Sequence, residues 1–150
     1  MVHSCKLVYA SFGHVDQFSV AAVDCYERAL SEAEQNGAKV RAFVLTNPHN
    51  PLGTYTIVQA DGETDWTDII GQCYPRDTLE AIFRFCNKHR LHLISDEIYA
   101  CSVYRTDTSS PGFTSALSLD TTDVIDSSLV HVMYGMSKAS FGCVILMTGF

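Results

Sequence analysis

The sequence predicts an α/β fold of three layers, in which helices flank a mostly parallel sheet. Two observations predict it: stretches with apolar residues at helical spacing alternate with short β-rich runs, and these runs end in polar or turn-forming residues. The chain has 150 residues, of which 47% are hydrophobic and 18% charged. This size and composition are typical of one globular domain.

The first predicted unit is a helix followed by a strand. Residues 19–36 form the helix, and Gly37 suits the left-handed position after a helix end. Residues 40–46 are a short β-rich run that Asn47 and Pro48 end, so we expect a strand buried on both faces. The apolar face of the helix contains Val20, Val23, Ala29, Leu30 and Ala33.

The second predicted helix begins at Pro75 and ends near Lys88 and His89. Asp77 and Glu80 have the spacing of a capping box at its start. The apolar residues at helical spacing are Leu79, Ile82, Phe83 and Cys86. A helix of this kind is expected to pack its apolar stripe against the sheet.

Two further strands are predicted after this helix. Residues 91–95 form one, with Asp96 at its carboxyl end, and residues 130–134 form the other, with Ser137 and Lys138 just beyond it. In open α/β sheets ligands bind outside the carboxyl ends of the strands. We therefore expect the loops after the three strands to meet at one site.

Residues 54–71 fit the alternating pattern poorly, because residues 60–66 are acidic and turn-like. Removing residues 54–71 joins Gly53 directly to Gln72 and restores a short connection from strand to helix. The segment is therefore predicted to be an insertion, and a retained intron is the hypothesis for its origin.

Charge and cysteine usage limit the function classes. Ten basic and seventeen acidic residues give a formal net charge of -7, which is the wrong sign for a general nucleic-acid or anionic-membrane binder. The six cysteines are scattered, and no signal peptide or membrane-spanning apolar stretch occurs. We therefore expect a cytoplasmic protein with a small-molecule partner.

Three short motifs follow the predicted strands. Residues 47–53 read Asn-Pro-His-Asn-Pro-Leu-Gly, residues 95–99 read Ser-Asp-Glu-Ile-Tyr, and Ser137 precedes Lys138. Taken singly, each has a plain alternative: a proline turn, a carboxylate cap and a surface lysine. Glu97 is interpreted as a solvated or structural acid rather than half of a catalytic pair.

Together and in this order, the motifs resemble those of the fold-type I pyridoxal-phosphate enzymes of the class I/II aminotransferase family. That family has an N-P-x-N-P-x-G loop, a D-x-x-Y strand end and an S-K pair. Within it, the wording is most similar to 1-aminocyclopropane-1-carboxylate synthase and its fungal relatives. The resemblance implies that residues 1–150 are part of the family's large domain, and that its members are homodimers.

The resemblance also implies a role for each motif residue. Lys138 would form an aldimine with pyridoxal 5'-phosphate and afterwards move the α-proton of an amino-acid substrate. Asp96 would pair with the pyridine nitrogen, while Asn50 and Tyr99 would donate hydrogen bonds to the ring's 3-oxygen. Ser137 would approach the phosphate. The reaction would be amino transfer or α,γ-elimination, and the sequence does not choose between them.

Several departures from the family predict a truncated and impaired chain. Neither the family's glycine-containing phosphate loop nor the carboxyl-terminal small domain is found, and residues 139–150 diverge and contain no arginine. Gly135 stands where the family usually has a serine. An alternative prediction is therefore a non-catalytic α/β fragment that acts as an interaction or dimerisation module.

Two other site types are weakly indicated. Cys86, His89 and His92 lie close in sequence, but no second pair completes a four-ligand metal set. No glycine-rich nucleotide loop of either common type occurs. No metal is therefore expected.

Overall fold

The computed structural model describes residues 6–55, 59–60, 63–64, 69–103, 112–135 and 144–148, and for residues 50–55, 59–60, 63–64, 69–71 and 144–148 only the backbone. This part of the chain contains two α-helices, α1 (Ala22–Gln35) and α2 (Arg76–His89). The strands are β1 (Ala42–Thr46), β2 (His49–Tyr55), β3 (Gln59–Ala60), β4 (Glu63–Thr64), β5 (Ile69–Gln72), β6 (His92–Asp96), β7 (Val130–Gly135) and β8 (Val144–Thr148).

The main sheet has the strand order β1-β6-β7-β8. β6 pairs in parallel with both β1 and β7, whereas β8 runs antiparallel to β7. The predicted α/β class and mostly parallel sheet are confirmed. Strand β8 lies within residues 139–150, where the sequence predicted no strand.

Both helices pack on one face of this sheet, which we call the covered face. Its core includes Leu45 of β1, Leu93 of β6 and Val132 of β7, each no more than 2% exposed. Aromatic rings join the layers: Tyr26 of α1 meets Phe43 of β1 edge-on, with 4.8 Å between ring centroids. The apolar stripe predicted for α2 is buried in this core. The stripe predicted for α1 is only partly right, because Val20 precedes the helix and is 46% exposed.

The opposite side, which we call the open face, has no helix packed on it among the described residues. Val44 lies there with 61% of its surface exposed, although its neighbour Leu45 is 2% exposed. The prediction that the first strand is buried on both faces is wrong for this chain. The apolar run indicated a covering layer that the described part of the chain does not supply.

Helix ends agree with the sequence more closely at the carboxyl side than at the amino side. Gly37 has a φ of +77°, as predicted for the residue after α1, and α2 ends at His89. The predicted capping box is wrong: Asp77 Oδ1 accepts from the N–H of Thr78 at 2.8 Å, and Glu80 pairs with Arg76 instead. No side chain caps the helix at Pro75.

β2 and β5 form a separate antiparallel ladder at the two ends of the predicted insertion. Gly53 lies opposite Gly71, and Thr54 lies opposite Ile70. The chain therefore leaves and returns at neighbouring points of space. That residues 54–71 are an insertion stays a prediction, with which this pairing is compatible.

No helix in the described residues is long and apolar enough to cross a membrane. Within the same residues, Cys25, Cys86 and Cys101 are free thiols. Burial raises the pKa of the Cys86 thiol to about 12, so this group behaves as an apolar core residue.

Candidate active site at the carboxyl edge of the sheet

The three parallel strands end side by side. Thr46 pairs with Asp96 across β1 and β6, and Asp96 pairs with Met133 across β6 and β7. Backbone hydrogen bonds continue one residue further, from Asn47 N–H to the Asp96 carbonyl at 2.9 Å and from Glu97 N–H to the Met133 carbonyl at 2.8 Å. The loops after these strands therefore start from one edge, as the sequence predicted.

Asp96 is the last residue of β6 and is half-buried. Because side chains alternate along a strand, Asp96 shares a side with Ile94, while Leu93 and Ser95 face the buried core. Its Oδ1 accepts a hydrogen bond from the N–H of Ile98 at 3.2 Å. This local hydrogen bond fixes the orientation of the carboxyl group at the carboxyl end of β6.

Tyr99 follows on the turn after Asp96. It precedes a short 3₁₀ helix, Ala100–Ser102, whose first turn is closed by a 2.9 Å bond from Ala100 N–H to the Glu97 carbonyl. The predicted turn between the carboxylate and the phenol is present, and Tyr99 is half-buried. Asp96 and Tyr99 thus lie on one compact turn.

The remaining predicted site residues are described less fully. Asn50 lies in β2 directly after Asn47, Pro48 and His49, and only its backbone is described. Ser137 and Lys138 lie outside the described residues. Since β7 ends at Gly135, they follow its carboxyl end by two and three residues.

Two buried polar side chains support this edge. Asn47 is fully buried: its Nδ2 donates to the Thr114 carbonyl at 3.0 Å and its Oδ1 accepts from Tyr74 N–H at 3.1 Å. Glu97 is 3% exposed and accepts from the N–H of Ala116 at 2.8 Å. The sequence predicted no site role for either residue. Glu97 was interpreted as a solvated or structural acid, and its burial favours the structural alternative.

An aromatic cluster lies beneath the loop after β1. The ring of Phe18 is 4.8 Å from that of Tyr74 and 5.9 Å from that of His49, measured between centroids. Burial lowers the pKa of His49. Burial also raises the pKa of Tyr26 in the neighbouring core to about 12. Burial therefore favours the neutral form of both the His49 ring and the Tyr26 phenol near neutral pH.

Beside the site, the Cys101 thiol and the Tyr134 hydroxyl are 3.0 Å apart. This hydrogen bond is the main reason that the pKa of Tyr134 is raised. The contact joins the turn after β6 to the end of β7.

The three residues weighed as metal ligands have separate partners. Cys86 is buried in the core, His89 Nε2 lies 2.8 Å from Glu27 Oε2, and His92 is on the open face. There, His92 Nδ1 is 2.9 Å from His131 Nε2, while the ring centroids are 5.1 Å apart. The two rings point at each other, which is the arrangement of a hydrogen bond.

A family model described as aminotransferase class I and II matches residues 70–144. The chain is 41% identical over 141 residues to the probable aminotransferase tcpI of Claviceps purpurea, covering 92% of this chain and 28% of that protein. It is 36% identical over 112 residues to 1-aminocyclopropane-1-carboxylate synthase of Nicotiana tabacum, covering 73% and 18%. The chain therefore spans less than a third of either relative.

Among solved structures, an aspartate aminotransferase from Rhodobacter sphaeroides is similar with a TM-score of 0.58. The sequences are 15% identical, and the match covers 95% of this chain and 29% of that one. This likeness concerns the fold alone. It agrees with the parallel sheet and the flanking helices.

Proposed function

Because this chain belongs to the aminotransferase class I and II family, we propose that it forms the cofactor-binding part of the family's large domain. Pyridoxal phosphate is the cofactor of this family, whose fold is fold-type I. The observation that carries the proposal is Asp96, a half-buried carboxyl group at the shared carboxyl edge of three parallel strands, with Tyr99 on the same turn. These two residues fit the cofactor's pyridine nitrogen and ring oxygen.

When bound, the cofactor withdraws electrons from an amino acid attached to it and so makes the α-proton acidic. Asp96 would accept a hydrogen bond from the ring nitrogen and keep that nitrogen protonated. Tyr99 and Asn50 would donate hydrogen bonds to the ring oxygen, and Ser137 would donate to the phosphate. Lys138 would hold the cofactor covalently until the amino group of the substrate takes its place, and its freed amino group would then carry the α-proton.

The relatives bear the names of an aminotransferase and of a cyclopropane-forming synthase. The reactions expected from the family resemblance, amino transfer and α,γ-elimination, share removal of the α-proton from an amino acid. We therefore propose an amino acid as the substrate and α-proton removal as the step that belongs to this part of the protein. A homodimer and a cytoplasmic location are proposed with it.

Absorbance and mass spectrometry of the purified chain test the cofactor proposal. Pyridoxal phosphate is added, the bound form is followed by its absorbance, and borohydride reduction fixes it to its lysine for peptide mapping. We expect the label on Lys138 and no label in Lys138→Ala. Lys39→Ala removes an exposed lysine after α1 and should leave labelling unchanged. Equal labelling of both variants would refute the assignment.

Asp96→Asn tests the ring contact separately. Hydrogen bonds to charged groups contribute about 1.5–3 kcal/mol, so we expect affinity for pyridoxal phosphate to fall by roughly 10- to 100-fold. Binding as tight as that of the unchanged chain would contradict the role of Asp96.

The open face favours one second candidate, a non-catalytic module that associates through its sheet. Val44 is largely exposed there beside Ile94 and Met133, which are half-buried. Sedimentation of the chain and of Val44→Lys distinguishes the candidates. If only the unchanged chain self-associates and neither labels with cofactor, the module is favoured.

We also propose that residues 54–71 are an insertion into the domain. The pairing of Gly53 with Gly71 supports it, because a direct Gly53–Gln72 link then needs little movement of the chain. A variant that lacks residues 54–71 should keep its helical circular dichroism and cooperative unfolding. Loss of cooperative unfolding would show that the segment belongs to the fold.

A further inference from the structure

Glu97 stands directly after Asp96 and is almost completely buried, at 3% exposure. Burying a carboxyl group is unfavourable unless its oxygens accept hydrogen bonds. Glu97 Oε1 accepts two: one from the Ser95 hydroxyl at 3.1 Å and one from the Ala116 N–H at 2.8 Å. The carboxyl group is therefore a fixed part of the structure.

The hydrogen bonds of Glu97 restrain the chain on both sides of Asp96. Ser95 and Glu97 flank it in the chain, and their side chains meet each other on the buried side of the strand. Alternate side chains of a strand point to opposite sides, so Ser95 and Glu97 lie on the side opposite to the Asp96 side chain. The hydrogen bond between Ser95 and Glu97 therefore restrains the backbone of Asp96 from the buried side. The Glu97 N–H is itself bonded to the Met133 carbonyl at 2.8 Å.

A second attachment fixes the loop to which Glu97 is tied. Ala116 begins a short 3₁₀ helix, Ala116–Ser118, and is 1% exposed in the core. Two residues earlier, the Thr114 carbonyl accepts from the Asn47 amide at 3.0 Å. Buried side chains after β1 and after β6 thus hold the same loop, so it cannot shift without disturbing both strand ends.

We propose that Glu97 is a positioning residue that, through Ser95 and Ala116, fixes the orientation of the Asp96 carboxyl group. This inference rests on the proposed function, in which Asp96 binds the ring nitrogen of pyridoxal phosphate. The geometry provides a reporter that needs no cofactor, since the Ile98 N–H donates to Asp96 Oδ1. Hydrogen exchange at this amide measures whether the carboxyl group keeps its place.

Residue-resolved hydrogen exchange by NMR is the first measurement, on the chain without cofactor. In Glu97→Ala we expect the Ala116 and Ile98 amides to exchange at least about tenfold faster, while the Phe83 amide in α2 keeps its protection. Glu97→Gln keeps an oxygen that accepts from both donors and should restore slow exchange. Ser95→Ala removes one donor only and should give a smaller acceleration at Ile98.

Asp126→Ala is the matched control. Asp126 Oδ1 also accepts from a backbone N–H at the start of a 3₁₀ helix, that of Ser128 at 3.0 Å. It is exposed and lies in a different loop. Its loss should accelerate exchange at Ser128 and leave Ile98 unchanged.

Titration with pyridoxal phosphate is the second measurement. We expect Glu97→Ala to weaken binding about tenfold and Glu97→Gln to restore it. Unchanged Ile98 exchange in Glu97→Ala would overturn the inference. So would equal acceleration at Ile98 and Phe83 in both Glu97→Ala and Ser95→Ala, because that result describes general destabilisation. If the unchanged chain binds no cofactor, the proposed function fails, while the exchange data still decide the role of Glu97.

Discussion

The two faces of the sheet differ in what they bury, although the same strands build both. On the covered face, α1 and α2 enclose Leu45, Leu93 and Val132. On the open face, Val44 is mostly exposed and the imidazoles of His92 and His131 bond to each other near solvent. Among the described residues, the covered face therefore supplies the apolar core, whereas the open face contributes little to it.

Neighbouring residues of β1 give the strongest test of this difference. Leu45→Ala removes buried methyl groups from the helix-sheet core and should lower the free energy of unfolding by about 2–5 kcal/mol. Val44→Ala, one residue away on the open face, should cost less than about 1 kcal/mol. Urea unfolding followed by circular dichroism measures both. Similar losses that grow with protein concentration would mean that a second copy covers the open face.

Local signals explain what the sequence predicted well. Gly37 marked the end of α1 because a left-handed residue there favours glycine, and Asp96 was placed at a strand end by the apolar run before it. In contrast, Asn47 bonds to residues 27 and 67 positions away, Tyr74 and Thr114. No local pattern contains such contacts, so the support beneath the predicted site could not be found from sequence.

The exposure of Val44 was mispredicted for a related reason. An apolar run such as residues 40–46 shows that both sides of a strand suit burial, but not whether a partner is present to bury them. Motif residues were therefore easier to place than the surroundings of the strands that carry them.

His49 tests whether the aromatic cluster beneath the loop after β1 keeps a buried imidazole neutral. Its ring packs against Phe18 and Tyr74, and burial lowers its pKa. The folded chain thus binds fewer protons than the unfolded chain, whose histidines take up protons below about pH 6.5. Stability should fall as the pH drops below that value, by at most about 1.4 kcal/mol per pH unit from this residue.

His49→Phe removes the titrating group and keeps a ring among the aromatic neighbours. Urea unfolding at pH 8 gives the baseline of each chain, and unfolding at pH 5.5 gives the acid loss. We expect a smaller acid loss in the variant than in the unchanged chain. An identical loss in both would show that this ring is open to water in the folded chain.

The smallest expected effect lies at the rim of the covered face, where Glu27 links α1 to α2. Its oxygens lie 2.8 Å from Lys88 Nζ and 2.8 Å from His89 Nε2. Burial would raise the pKa of Glu27, but these two hydrogen bonds outweigh it and hold the pKa below its usual value. The link therefore stabilises the fold above about pH 4.5 and is lost as the pH falls through the lowered pKa.

Because these side chains are partly exposed, Glu27→Gln should cost less than about 1 kcal/mol at pH 7, and less still in 1 M salt. Glu34→Gln changes an exposed acid on the same helix and should leave unfolding unchanged; a loss equal to that of Glu27→Gln would show that net charge, not this bridge, is responsible.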